Sequence, residues 1–351
     1  MRITAPFRLH VLAAGTTCVV TAAYAPTALS PQTGNPLAAR VAQLEETLQF
    51  ARNEGGDLVV EGANLRVLNG TGNTDSTNGL GNVVVGFGVA SVPTSGSHGL
   101  ILGSSQNYST TAAIVAGRSN TVSGLRASVL GGEQNAATAE GSVVLGGQGN
   151  EASGRASSAV GGLGNVASGD RAVVSGGAAG EAQGQLSVVS AGHAGFAAGV
   201  HSSVSGGELG RASELMSSVS GGLRSLAGSD YGSVAGGRDG QTQNVLSSIG
   251  ATVAGGAQSV ASGTSSVTVG GEANRATGLR STAVAGANNV ASGEAAVALG
   301  GLGNEANGPR AVVAGGHQNT AIGANAVNSG GLARWVSATS GWVAGSLFEP
   351  N

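Results

Sequence analysis

The sequence predicts an all-β fold, a parallel β-roll or β-solenoid of fifteen-residue rungs preceded by a short coiled-coil helix and a β neck. Three observations lead there. Glycine, mostly as Gly-Gly, returns at a step of fifteen residues at Gly132, Gly147, Gly162, Gly177, Gly192, Gly207, Gly222 and Gly237, and after one longer step resumes from Gly256 to Gly331. A fixed period of this size marks an array of one supersecondary unit. The 351 residues include 64 glycines, with only 10% charged and 3% aromatic residues, which leaves few large side chains for a wide core. Yet 40% of residues are apolar and the net charge is −3, so the chain is not read as disordered. Glycine does not fall every third residue, which excludes collagen.

Taken in order, residues 1–25 read as a secretory signal: Arg2 and Arg8, a short apolar run from Val11 to Ala23, and a small-x-small site at Ala23-Tyr24-Ala25. The run is too short to span a bilayer, so no integral membrane segment is expected in the mature chain. The single cysteine, Cys18, lies inside this segment, and the mature chain is expected to hold no disulfide. Residues 26–36 are a Pro/Thr/Gly-rich linker. Leu37, Val41, Leu44 and Leu48 then follow at spacings of four, three and four, a heptad seam within residues 37–54. This is either an amphipathic helix lying on its own domain or a short parallel coil that sets oligomer number. The heptads do not decide between dimer and trimer.

Residues 55–103 are assigned to a neck and the first irregular rungs. Short strands are expected about Gly62, and strand-like Val83–Val85 and Leu100–Leu102 follow. Residues 104–331 are the regular roll and 332–351 a C-terminal cap built on Trp335, Trp342 and Phe348. Counting from Gly147 as position one, position six is Ala152, Ala167, Ala182, Ala197 and their successors, a small residue in a tight inward contact. Positions twelve to fourteen are β-prone, as in Val143-Val144-Leu145. Each unit therefore offers two strands of about four residues. Position four is Asn120, Asn135, Asn150 and Asn165, then Gly180, Gly195, Gly210 and Gly240, then Asn274, Asn289, Asn304 and Asn319. Both residues tolerate positive φ, so a left-handed bend at position four explains the exchange; a stacked asparagine ladder is the compatible alternative. Stacking at about 4.8 Å per rung over the intervals from Gly117 to Gly331 gives a rod of roughly 65–70 Å. Four extra residues within 238–255 should bulge outward, because the period resumes in phase.

Ser142–Gly146 (Ser-Val-Val-Leu-Gly) and Ala296–Gly300 (Ala-Val-Ala-Leu-Gly) alternate with Asn150–Gly154 and Asn289–Gly293 (Asn-x-Ala-Ser-Gly). This pattern resembles the head repeats of YadA-like trimeric autotransporter adhesins over about residues 80–345. The resemblance implies a left-handed parallel β-roll, three chains packed side by side, and binding to host matrix or other surfaces. The order of signal, coil, neck and roll departs from that family, and the expectation is an exported bacterial repeat protein lacking the family's membrane-anchoring barrel. Collagen binding is not carried over, because the family's motif for it is only loosely matched at Ser142–Gly146.

The search for chemistry yields no catalytic, cofactor or metal site. His98, His193, His201 and His317 lack ligand spacing, and no helix follows Gly161–Gly164 for a phosphate to cap. The acidic residues are dispersed, against a polysaccharide-cleaving carboxylate pair. There is no lysine and no basic patch, so nucleic acid is not an expected partner. The candidate ligand-facing surface is the turn at positions nine and ten, with Arg126, Arg155, Arg171, His201, Tyr231, Arg280 and Arg310; the alternative is that these turns are polar because they are wet. The function expected is that of a non-enzymatic, secreted or cell-surface adhesin-like protein. Its expected partners are copies of itself, as a homotrimer held in part by Leu37, Val41, Leu44 and Leu48, and a surface, matrix or polysaccharide ligand. The alternative is ice or crystal binding by a flat strand face carrying Ser203, Ser205, Ser218 and Ser220.

Overall fold

A computed structural model describes residues 9–13, 18–22, 36–87, 95–239, 241–242 and 249–345. The chain divides into two units, 1–72 and 73–351. In the first, Leu9–Ala13 pairs antiparallel with Cys18–Ala22. The remainder of the segment read as a signal, and residues 26–35 of the linker, lie outside the described residues. Helix α1 spans Pro36–Leu48. Proline suits the first helical position, where its missing N–H costs nothing. The helix stops short of the 37–54 reach of the heptad segment, because Ala51–Glu54 pairs instead with Asp57–Val60. The turn between these strands is Gly55-Gly56, at φ +61° and +100°. Two residues of positive φ make a tight hairpin turn that no helix passes through. Of the two strands expected about Gly62, the first is present as Asp57–Val60 but pairs back with Ala51–Glu54, and residues 61–69 after it form no strand.

The second unit is a parallel β-solenoid of fifteen-residue turns. One sheet starts at Val83–Val85 and Leu100–Ser104 and ends at Trp342–Val343. Each strand pairs with those one turn before and after, as in Val143↔Ser158 and Val144↔Ala159. The pairing advances along the axis at every step, so the two end strands lie far apart and the ladder is open. A second, 16-stranded sheet runs from Asn107–Tyr108 to Trp335–Val336. Position two adds a third column of single bridges, such as Leu163↔Ala178 and Ala178↔His193. Most strands hold two or three residues, shorter than the sequence suggests, because each rung bends at several corners. The residues at positions three and ten are left-handed turn after turn, for example Gln134 (φ 56°) and Ala179 (φ 53°), then Arg171 (φ 54°) and His201 (φ 56°).

Position four is thus not the left-handed residue; position three is. The asparagines there are buried and form a ladder instead. Asn135, Asn150 and Asn165 each donate a backbone N–H to the Oδ1 of the asparagine one turn earlier, at 2.8–2.9 Å. Each Nδ2 donates to two carbonyls; for Asn150 these are Gly146 O (2.9 Å) and Gly162 O (3.0 Å). The ladder reaches the Gly180 N–H, stops, and resumes from Asn274 to Arg334.

The interior is narrow. The inward residues at position six, mostly alanine but valine at Val122, and at position thirteen, mostly alanine or valine but Thr268 and Asn328 in two turns, are fully buried along the regular roll. Glycine at position eight permits close stacking: a Cβ on Gly154 would lie 1.9 Å from the Gly169 carbonyl oxygen. The first turn is wider and Tyr108 fills it, with Gly99 making room beside its ring. Its hydroxyl donates to Ser97 O at 2.6 Å, and burial pushes the phenol up to about 12.

Trp335 and Trp342 do not close the end of the roll from within. They face outward in the last strands, 69% and 68% exposed, and Trp342 Nε1 donates to Ser329 Oγ at 2.9 Å. The last inward residues are Val336 and Val343, at positions six and thirteen; Phe348 lies outside the described residues. Around the longer step, Gln241–Thr242 and Thr252–Ala254 keep their pairing on both sides. The extra residues fall between those two strands, and 243–248 lie outside the described residues.

Candidate functional site: one corner and one face of the roll

Arg126, Arg171, His201, Tyr231, Arg280 and Arg310 all occupy position ten, at φ 54–57°; Arg155 sits one place earlier. Position ten donates its N–H to position nine of the preceding turn: Arg171 to Arg155 O (2.8 Å), His201 to Gln185 O (2.9 Å), Tyr231 to Leu215 O (2.8 Å) and Arg280 to Thr264 O (2.8 Å). These bonds place the expected residues along one corner. Left-handed φ disfavours a bulky side chain, and the same position is glycine at Gly141 and Gly250. Arginine, histidine, tyrosine and methionine are held there at some cost, with their side chains in solvent.

The arginines do not converge. Arg155 is engaged by Asp170 at 3.1 Å, and Arg126 lies 3.8 Å from Glu140 and 4.0 Å from Asp75. Arg171 and Arg280 are seven turns apart, about 34 Å at the usual strand spacing. The contiguous feature is apolar. Leu186, Val200, Leu215, Met216, Tyr231 and Ile249 follow one another on the corner between those arginines, all but Leu186 exposed. The N–H of Met216 bonds Val200 O and that of Tyr231 bonds Leu215 O, so these side chains are neighbours. Reading columns nine and ten together, and not arginine alone, would have found this ridge. On the adjacent second sheet the Arg211 guanidinium lies over the Phe196 ring, 4.6 Å from its centroid.

The outer face of the first sheet differs in kind. Positions twelve and fourteen point outward, and from Val83 to Ala344 they hold only Val, Leu, Ile, Ala, Ser, Thr and Trp. Leu130, Leu145, Val160, Val269 and Leu299 are among the exposed members. The second sheet shows Glu151, Glu181, Arg211, Arg275 and Glu305 on its outer face. In the first unit, no residue of α1 is buried, and Leu37, Val41, Leu44 and Leu48 are all exposed. Exposed apolar residues grouped on an uncharged face are a mark of interaction, and here serine interrupts them, as at Ser203, Ser205, Ser218 and Ser220.

Among the described residues no three His, Cys, Asp or Glu side chains gather as a metal site would require, and no helix is long and apolar enough to cross a membrane. Compared with known proteins, the chain matches no family model and no curated protein.

Proposed function

We propose that the chain is an exported, non-catalytic β-roll that assembles side by side as a homotrimer and binds a surface, matrix or polysaccharide through repeated weak contacts. The observation that carries this reading is the uncharged outer face of the first sheet, which runs the whole length of the roll. A strip of about 80 Å by 10 Å presents on the order of 800 Å² per copy, the size of a stable protein interface. The exposed seam of α1 supplies a second surface for the same association. The number three rests on the likeness of the repeat to trimeric adhesin heads. The corner with Arg155, Arg171, His201, Tyr231 and Arg280 stays free in such a packing. Its contacts recur along the rod, and several weak ones acting together give avidity.

Light scattering of the chain from residue 26 tests the assembly, with a mass of three copies expected. Leu145→Lys with Leu299→Lys should lower that mass while the circular dichroism of the roll persists. A monomer in the parent chain would end the reading. For the ligand, a panel of immobilised matrix proteins and polysaccharides is the probe. Replacing Arg155, Arg171 and Arg280 with serine should weaken whatever binding is found, and unchanged binding removes the corner from the argument.

A second reading, ice or crystal binding, draws on Ser203, Ser205, Ser218 and Ser220. They share the flat outer face at one-turn spacing, and Ser203 Oγ lies 3.2 Å from Ser218 Oγ. Ice recrystallisation that proceeds unchanged in the presence of the protein dismisses it.

A further inference from the structure

The asparagine ladder breaks where glycine takes position four, and the break leaves specific backbone groups to be served by something else. In the intact ladder the Asn165 amide does three things. Its Nδ2 donates to Gly161 O at 2.9 Å and to Gly177 O at 3.3 Å, and its Oδ1 accepts the Gly180 N–H at 2.9 Å. Two donations and one acceptance knit the corner of one turn to the next. Three turns later Gly210 stands in the same place. The corresponding groups are Gly206 O, Gly222 O and the N–H of Ser225.

The N–H groups of Gly195, Gly210 and Ser225 are buried and make no hydrogen bond among the described residues. Burying an amide without a partner costs about 1–3 kcal/mol, and native interiors rarely leave one so. The valines at position thirteen do not solve the problem. A Cβ on Gly210 would lie 3.1 Å from Val219 Cγ1 and 3.2 Å from Val204 Cγ1, so methyl groups wall the spot without offering an acceptor. The Gly206 carbonyl oxygen, 3.7 Å from the same point, faces it.

We propose that each of the turns beginning at Gly177, Gly192 and Gly207 binds one internal water in the place that the amide fills in the turns with asparagine at position four. A water molecule has the required valence. It donates twice, to the carbonyls at position fifteen of the preceding turn and at position one of the next turn, and accepts once from the N–H at position four of the next turn. Three hydrogen bonds are what a buried water usually makes. The three sites follow one another at the spacing of the turns and form a short file inside the roll. An amide carried on a side chain is fixed by covalent bonds, whereas a water exchanges. The turns from Gly177 to Ser225 are therefore the labile stretch of the rod, and they coincide with most of the apolar ridge.

High-resolution diffraction from the full chain, paired with hydrogen–deuterium exchange, tests this. A solvent peak is expected within hydrogen-bonding distance of Ser225 N, Gly206 O and Gly222 O. Exchange at the Gly210 and Ser225 amides should be at least tenfold faster than at Asn150 and Asn165. Gly210→Asn should abolish the peak and slow Ser225 to the rate of Asn165. Should that variant fold poorly, Asn165→Gly is the converse: it should gain a peak at Gly180 N and speed that amide. Absence of solvent density at all three sites in an otherwise well-ordered parent structure overturns the proposal. So does exchange at Ser225 as slow as at Asn165.

Discussion

The backbone N–H of Asn150 donates to Asn135 Oδ1 at 2.9 Å, and Asn150 Oδ1 in turn accepts the backbone N–H of Asn165 one turn on. This relay makes the asparagines interior struts. Asn150→Ala keeps the Cβ but strands the Asn165 N–H and two carbonyls, Gly146 O and Gly162 O. We expect a loss of about 1–3 kcal/mol. It should be read as a lowered midpoint in urea, since a repeat array need not unfold in one step. A midpoint unchanged within error would mean that the ladder is incidental.

Two glycines eight residues apart make opposite predictions. A Cβ on Gly154 would sit 1.9 Å from the Gly169 carbonyl oxygen, whereas one on Gly146 meets nothing within 4 Å. Gly146 also lacks the positive φ of its neighbour Gly147, at +84°. Gly146→Ala should therefore be neutral or stabilise by about 0.4–1 kcal/mol, through the unfolded chain. Gly154→Ala forces adjacent turns apart and should cost about 1–3 kcal/mol. Melting temperatures of the pair decide it, and equal shifts would refute the close-stacking account of position eight.

How much of this was legible in the sequence depended on whether a residue's job is periodic. Ala152 and Ala167 recur at a fixed place, and a small residue kept at a fixed place reads at once as an inward contact; both are fully buried. The left-handed corner at position three was not legible. Its occupants, such as Gln134, Ala179, Leu209 and Arg224, share no side-chain character, and the bend is imposed by pairing on either side. The tryptophans misled for a related reason. Large aromatics beyond a thin core suggest a cap, but Trp342 pairs with Val327 in an outward column, and the rung's register outweighs hydrophobicity. The ridge of Val200, Leu215, Met216 and Tyr231 was hidden because its members alternate between two positions.

Tyr108 gives the roll an alkaline limit. Burial raises its phenol to about 12, above the ordinary value of 10.0. Folding therefore favours the protonated form. The contribution is fully present below pH 10 and is lost as pH rises from there through 12. A proton held that much more tightly in the folded chain is worth on the order of 2–3 kcal/mol. Tyr108→Phe should cost about 1 kcal/mol at neutral pH, through the lost bond to Ser97 O, and should flatten the fall in stability between pH 10 and 12. Denaturation midpoints across that window check both, and a variant that still falls as steeply would place the alkaline transition elsewhere.

Position six tests whether the interior is matched turn by turn. It is alanine in the middle of the roll, as at Ala197, but valine at Val122, and all are fully buried. Ala197 lies in the cluster that includes Val189 and Val204, whose methyls already crowd Gly195: a Cβ there would lie 3.1 Å from each Cγ1. Ala197→Val adds two methyl groups to that space and should destabilise by about 1–3 kcal/mol through displaced side chains. Val122→Ala removes the same atoms from a turn built around Tyr108, Val115 and Val129, and should cost a similar amount, about 1–3 kcal/mol, as an unfilled contact. If the interior were a loose tube that accepts either residue anywhere, one change would stabilise or both would be neutral. Opposite changes in volume with the same sign of effect, measured by urea denaturation, are the mark of a roll whose turns are individually fitted.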